Sequence, residues 1–305
     1  MSLVVAFAES VLSDEAERCE DEVLLNLWHP LGYASDWAVG EPNEDKLLGY
    51  PLEVVRVSES SFEVVSPTEG GRELPTIQRF GYLWTSLGTP RALFDIPESQ
   101  EEDRRKVHAG TIDVRISAGR AMENFLDMGH FPFVHEGVLG TEPRTEVKDY
   151  NVTSSVQEIE ILATDCLFYQ PKAAGSSTQG AEVEYAYRVM HPNCAALFKS
   201  SPNSADRLDV ITLFIQPLNQ EHIRAHMWLC LLDDESPEWA LKRFQMDIFG
   251  HDKPILENQL PKRLPLDPRA ETPIRADKTA VAYRRMLSQL GVRYGVIPGA
   301  MKGAR

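Results

Sequence analysis

The sequence predicts an α+β protein in two parts: a small antiparallel β unit over residues 1–95, and a larger domain over residues 96–305 built on one large antiparallel sheet. Three observations predict it. In the first part, short runs rich in valine and aromatic residues recur between glycine, proline and serine clusters, the pattern of a small antiparallel sheet. Longer runs of alternating character fill much of 146–233, as expected where one face of a sheet is buried. Helical patterns are few: an acidic one over 1–22, one over 120–131 and two after Ser236.

The elements follow in chain order. After the acidic helix, strands are expected in "LEVVRVS" (52–58), "SFEVVS" (61–66) and "RFGYLWTSLG" (79–88). The polar stretch "IPESQEEDRRKVH" (96–108) reads as a linker, which puts the boundary near residue 95. "TIDVRIS" (111–117) is strand-like and passes into helical "RAMENFLDMGHF" (120–131). Strands are then expected within 146–163, 181–191, 209–217 and 223–233. Ser236 and Pro237 suit the N-cap and first turn of a helix running through "EWALKRFQMDIFGHDK" (238–253). After a proline-rich crossing, a last helix has Asp277 as candidate cap and Tyr283, Met286, Leu287 and Leu290 as its apolar stripe. Gly291 is its stop.

Composition narrows the function. The 305 residues carry a net charge of -15, which argues against a nucleic-acid partner. No apolar run approaches the roughly 20 residues that span a bilayer, so no membrane partner is expected. The N-terminus, "MSLVVAFAESVLSDEAERCEDE", lacks the basic leader of a secretory signal. Cys19, Cys166, Cys194 and Cys230 are scattered, with no C-x-H, C-x-x-H or C-x-x-C pair that would announce an iron–sulfur or zinc site. Buried cysteines of a reduced cytoplasmic protein are the plain reading.

The stretch "ENFLDMGHFPFVHEG", from Glu123, carries the chemistry. On a helix Asp127 and His130 share a face, whereas His130 and His135 stand about 140° apart. Pro132 lies between them, so the helix should bend or end near Phe131, and only a bent segment brings both imidazoles to one point. The metalloprotease pattern H-E-x-x-H is missing. Two imidazoles and a more distant carboxylate instead suit a facial triad for non-haem Fe(II). In "RFQMDIFGHDKPILENQ", Gln245, Phe249, Asp252 and Leu256 fall on one helix face. Pro254 follows Asp252 by two residues, as Pro132 follows His130, so each candidate ligand is expected at a local helix distortion. His251 adjoins Asp252 but would point away on a helix and is left unassigned. A pair of core histidines and a solvated aspartate are the bland alternative.

These residues resemble a known family. "ENFLDMGHFPFVH" is similar to the N-x-x-D-x-x-H-x(4)-H signature of Rieske non-haem iron oxygenase catalytic subunits, and "HDKPILENQ" to the segment bearing their third ligand. The resemblance covers most of 20–295. It implies that His130, His135 and Asp252 hold mononuclear Fe(II), and that Asp127 is the acid bridging the iron site to an iron–sulfur cluster. It also implies a helix-grip (START/Bet v1-like) catalytic domain over 96–305. "LWHPLGYASDW…LLGYPLEVVR" and "FGYLWTSLG" resemble the first and last strands of a Rieske domain. Between them the chain departs from the family: the Cys–His pairs that hold [2Fe–2S] are missing, and 1–95 reads as a truncated, Rieske-like β domain.

Together with "DKPILENQLP", this departure most resembles the bacterial methylxanthine N-demethylase oxygenases, in which the component for the N7 methyl group borrows its Rieske centre from an extended reductase. The resemblance implies an oxygenase that hydroxylates an N-methyl group and releases formaldehyde, 7-methylxanthine giving xanthine. NAD(P)H would act only indirectly, through that Rieske-containing reductase, within a homo- or hetero-oligomer of oxygenase subunits. Gln245 and Phe249, one and two helical turns from Asp252, are the candidate substrate contacts, an amide for a purine edge and an aromatic ring for its face. The rivals are an inactive structural subunit and a hydrophobic-ligand binder of helix-grip fold. His29, His191, His222 and His226 read as structural.

Overall fold

The structure, a computed structural model, describes residues 18–172, 179–201, 203–204, 206–233 and 235–299. The acidic helix expected over 1–22 lies almost wholly outside them. The described part opens with a single turn, α1 (Glu22–Leu25).

Two small sheets follow. β2 (Pro42–Leu47), β3 (Tyr50–Ser58), β4 (Ser61–Ser66) and β5 (Arg72–Glu73) form one, in that order; β1 (His29–Tyr33), β7 (Tyr82–Thr85) and β6 (Thr76–Arg79) form the other. The strand expected over 79–88 is thus a hairpin. Phe80 and Gly81, both at positive φ, make the tight turn, in the left-handed conformation that two-residue hairpin loops favour.

The main sheet has seven antiparallel strands, in the order β8 (Arg105–Val114), β14 (His222–Leu231), β13 (Leu208–Asn219), β12 (Cys194–Ser200), β11 (Ala181–His191), β10 (Glu160–Gln170) and β9 (Asn151–Ser155). Two expectations need correction. β8 begins inside the stretch expected as linker, because its polar start is paired: Arg104, beside it and buried, bonds Glu101 and the carbonyls of Leu208 and Cys230. The run 146–163 breaks at a turn before Glu160, giving β9 and the start of β10.

β13 and β14 read as nearly continuous apolar runs because both their faces are covered. Behind them, Tyr82 and Trp84 of β7 pack with Phe214 and Trp228 in one buried aromatic cluster. In front lie α2 (Ala118–Leu126) and α4 (Glu238–Asn258), with the short helix α3 (Phe131–Val134) between them in sequence. α5 (Lys278–Leu290) buries Tyr283, Met286 and Leu287 and ends on Gly291 at φ 78°. Neither expected serine or aspartate cap acts through its side chain. Ser236 donates to Asp233 instead, and Asp277 accepts from the backbone of Ile274. α4 also runs past the expected end at 253, straight through Pro254.

Candidate metal centre

The site is built where α2 stops. Ser117 caps its start, and the chain leaves helical geometry at Asp127, three residues before His130. The Asp127 carboxylate then organises the turn, accepting from the backbone of Gly129 (2.7 Å) and of His130 (3.2 Å) and from His130 Nδ1 (2.9 Å). Pro132 does not end a helix, as the sequence suggests; it opens α3. Proline suits the first turn, where its missing N–H has no partner to lose. The bend therefore lies at Asp127–Gly129, and the single turn of α3 carries the chain from His130 to His135.

The two imidazoles meet. His130 Nε2 lies 3.2 Å from His135 Nε2, and Asp252 Oδ1 of α4 lies 3.4 Å from the first and 3.1 Å from the second. Asn124 Nδ2 approaches the same carboxylate oxygen at 3.4 Å. Gly140 backs the turn so closely that a Cβ there would stand 2.6 Å from the Pro132 nitrogen and 2.7 Å from its Cα.

Electrostatics separates the groups. Burial alone would lower His130, but its bonds to Asp127 and Asp252 outweigh that and raise it to about 9. Burial likewise works to raise Asp252 and Asp127; the histidine bonds prevail, holding Asp252 down to about 2 and Asp127 below the usual carboxylate range. When His130 gives up one proton, the one retained on Nδ1 faces Asp127 and the Nε2 lone pair turns into the site.

The donor set fits a divalent transition metal. Two imidazole nitrogens and a carboxylate oxygen converge, all within 4.8 Å, and they are the cluster of this kind among the described residues. Bonds of about 2.1 Å at roughly right angles place neighbouring ligand atoms about 3.0 Å apart, close to the spacings here. An ion held by these three would be met from one side, the donor set of a two-histidine, one-carboxylate facial triad.

A cavity of about 90 Å³ adjoins the triad, walled by Phe125, Tyr187, Leu213, Met227, Ile248 and neighbouring residues. Gln245 and Phe249 line it too, from the face of α4 that bears Asp252. On the far side, Asp127 and His130 border an open depression of about 520 Å³, with Glu123, Glu271, Arg120 and Arg284 beside them. His251 departs from the sequence expectation: it is turned not away from the site but toward His135, Nδ1 to Nδ1 at 3.5 Å. Straight-helix geometry misses it; its one signal was adjacency to Asp252. His29, His191 and His226 are buried elsewhere, and burial lowers His29 to about 4 and His226 to about 3.

Residues 114–293 match the family described as the vanillate O-demethylase oxygenase C-terminal domain. Over 285 residues the chain is 42% identical to the probable methylxanthine N7-demethylase NdmC of Pseudomonas sp. (strain TJI-51), a match spanning 92% of this chain and 99% of that protein. The solved structure of Pseudomonas putida CBB5 NdmA with caffeine has a similar fold, with TM-score 0.74 and 18% identity over 89% of this chain and 92% of that one. Dicamba monooxygenase bound to 3,6-dichlorosalicylic acid gives 0.70 and 15%, covering 88% and 97%.

Proposed function

The chain belongs to the Rieske-type non-haem iron oxygenases, among the methylxanthine N-demethylase oxygenases, and on that premise we propose that it removes the N7 methyl group of a methylxanthine, converting 7-methylxanthine to xanthine. His130, His135 and Asp252 hold the ferrous ion, and the observation that carries the reading is their convergence beside a largely apolar cavity. Iron held there would supply the oxidising power for the overall change: O2, two electrons and two protons convert N–CH3 to N–CH2OH and one water, and the N–CH2OH breaks down to formaldehyde and N–H.

The chain's residues supply the rest. Asp127 keeps the proton of His130 on Nδ1, so that Nε2 faces the site. The apolar wall from the sheet excludes water, and Phe249 offers a ring face to the purine while the Gln245 amide reads a polar edge.

Electrons come from NAD(P)H through a Rieske-containing reductase. The chain has no C-x-H or C-x-x-H pair. Its four cysteines are buried and scattered along the chain. Residues 1–95 accordingly serve as a Rieske-like β unit without a cluster, and 96–305 as the catalytic domain. The depression beside Asp127 is the approach for the partner's cluster. We place the protein in the cytoplasm, in a homo- or hetero-oligomer of oxygenase subunits.

The test is an anaerobic preparation loaded with Fe(II), offered methylxanthines with and without a Rieske-containing reductase and NADH, with formaldehyde measured after O2 is admitted. Formaldehyde and xanthine in stoichiometric yield, only with the reductase, are expected. Iron-loaded protein that yields neither with an active reductase would leave a structural subunit as the better reading.

A further inference from the structure

We propose that His251 is a positioning residue of the metal centre: its imidazole accepts the Nδ1–H of His135 and so fixes the tautomer and ring plane with which His135 presents Nε2. The inference rests on the reading of His130, His135 and Asp252 as iron ligands.

A histidine that binds metal through Nε2 carries its proton on Nδ1, and that N–H is nearly always bonded to an acceptor that orients the ring. For His130 the acceptor is Asp127. His135 is only 1% exposed, so its Nδ1–H needs an acceptor from the protein. The atom facing it is His251 Nδ1, at 3.5 Å, with the ring centroids 5.7 Å apart and the planes inclined by 31°. Two Nδ1 atoms cannot both carry protons in one hydrogen bond. If His135 donates, His251 takes the other tautomer, its proton on Nε2 toward the surface and its Nδ1 lone pair inward. The separation is long for an N–H···N bond, and such contacts tighten as a site assembles around its ligand.

One segment of α4 then does two things. Asp252 meets the Nε2 edge of His135 at 3.1 Å while His251 meets its Nδ1 edge. The two imidazoles also differ in kind: His130 is backed by a carboxylate, whereas His135 is backed by a second imidazole.

The test compares the full-length wild type with His251→Phe, which keeps a ring but has no acceptor, and with His251→Gln, which restores an acceptor oxygen. Co(II) binding is followed by its visible absorption, and the Fe(II)–nitric oxide adduct by electron paramagnetic resonance. The phenylalanine variant should bind Co(II) about 10- to 100-fold more weakly, with displaced absorption bands and an altered adduct signal. The glutamine variant should stay within a few-fold of wild type. The thermal midpoint of chelator-treated protein should stay at the wild-type value in His251→Gln, and fall by no more than a few degrees in His251→Phe, the loss of one partly buried hydrogen bond. Wild-type affinity and spectra in His251→Phe would overturn the inference, as would equal losses in the two variants, which would indicate a steric role. Failure of the wild type itself to take up stoichiometric Co(II) or Fe(II) would instead overturn the metal-centre reading beneath it.

Discussion

The triad should bind metal in competition with a proton, and the competition can be measured. Without a metal the protein's own groups hold His130 protonated up to about pH 9, through its bonds to Asp127 and Asp252. Metal binding needs the Nε2 lone pair, so that proton must leave. At pH 7 a group titrating at about 9 is deprotonated in about 1 molecule in 100, against about three-quarters for an ordinary histidine at 6.5. Apparent metal affinity at pH 7 should therefore lie about 100-fold, or about 3 kcal/mol, below its alkaline limit, rising nearly tenfold per pH unit until it levels off near pH 9.

The stability of chelator-treated protein runs the opposite way. A histidine raised above its unfolded value contributes fully below pH 6.5 and loses that contribution as pH climbs through about 9. The shift is worth at most about 3 kcal/mol, and the matching depression of Asp252 describes the same contact and is counted once. Isothermal titration with Co(II) at pH 7, in buffers of different ionisation enthalpy, should report about one proton released per metal bound, and fewer in Asp127→Asn. Affinity that stays flat from pH 6.5 to 8.5 with no proton released would refute the argument.

Three further outcomes are expected. Arg284→Met removes the cation that bonds Glu123 at 2.6 Å and Glu271 at 2.5 Å. With Glu271 partly exposed, the cost should be about 3 kcal/mol, lowering the thermal midpoint of a chain this long by about 5 °C in differential scanning calorimetry. Gly140→Ala would drive a methyl group into the Phe131–Pro132 backbone, shifting the turn between the two histidines. Metal titration should show affinity down about tenfold or more, while circular dichroism stays that of the wild type. Gln245→Leu should raise the KM for a methylxanthine about tenfold, the value of one hydrogen bond to substrate, with a smaller change in kcat in steady-state formaldehyde release.

The centre was legible because its chemistry is concentrated. Asp127, His130 and His135 lie within nine residues, and proline within that stretch makes a straight helix untenable. What the pattern could not give was where the bend falls. Pro132 disfavours helix before it but suits the first turn after it, and the side-chain bonds of Asp127 to Gly129 and His130 decide the matter upstream. His251 was missed for a related reason. Adjacent helix positions point about 100° apart, yet both can reach one imidazole when they approach different edges of its ring. The polar start of β8 hid because the arginine before it is buried, paired with Glu101 three residues upstream and bonded to the distant carbonyls of Leu208 and Cys230. β12 hid because its alanines, weak strand formers, are held by neighbours on both sides.

Charge balance explains why Asp127 is backed by a histidine and not by an arginine. A divalent ion held by two neutral imidazoles and one carboxylate leaves one uncompensated positive charge in a buried site, which is costly to bury. Asp127 can cancel it through the imidazole of His130, but only while its own charge remains available. Arginines stand in the same depression, yet Arg120 and Arg284 are committed to Glu123 and Glu271 in a four-membered network that is neutral within itself. Among the described residues the hydrogen bonds to Asp127 come from His130 and Gly129. The network thus pairs the two strong cations of the depression with the carboxylates of Glu123 and Glu271 and leaves the Asp127 carboxylate to His130 and Gly129.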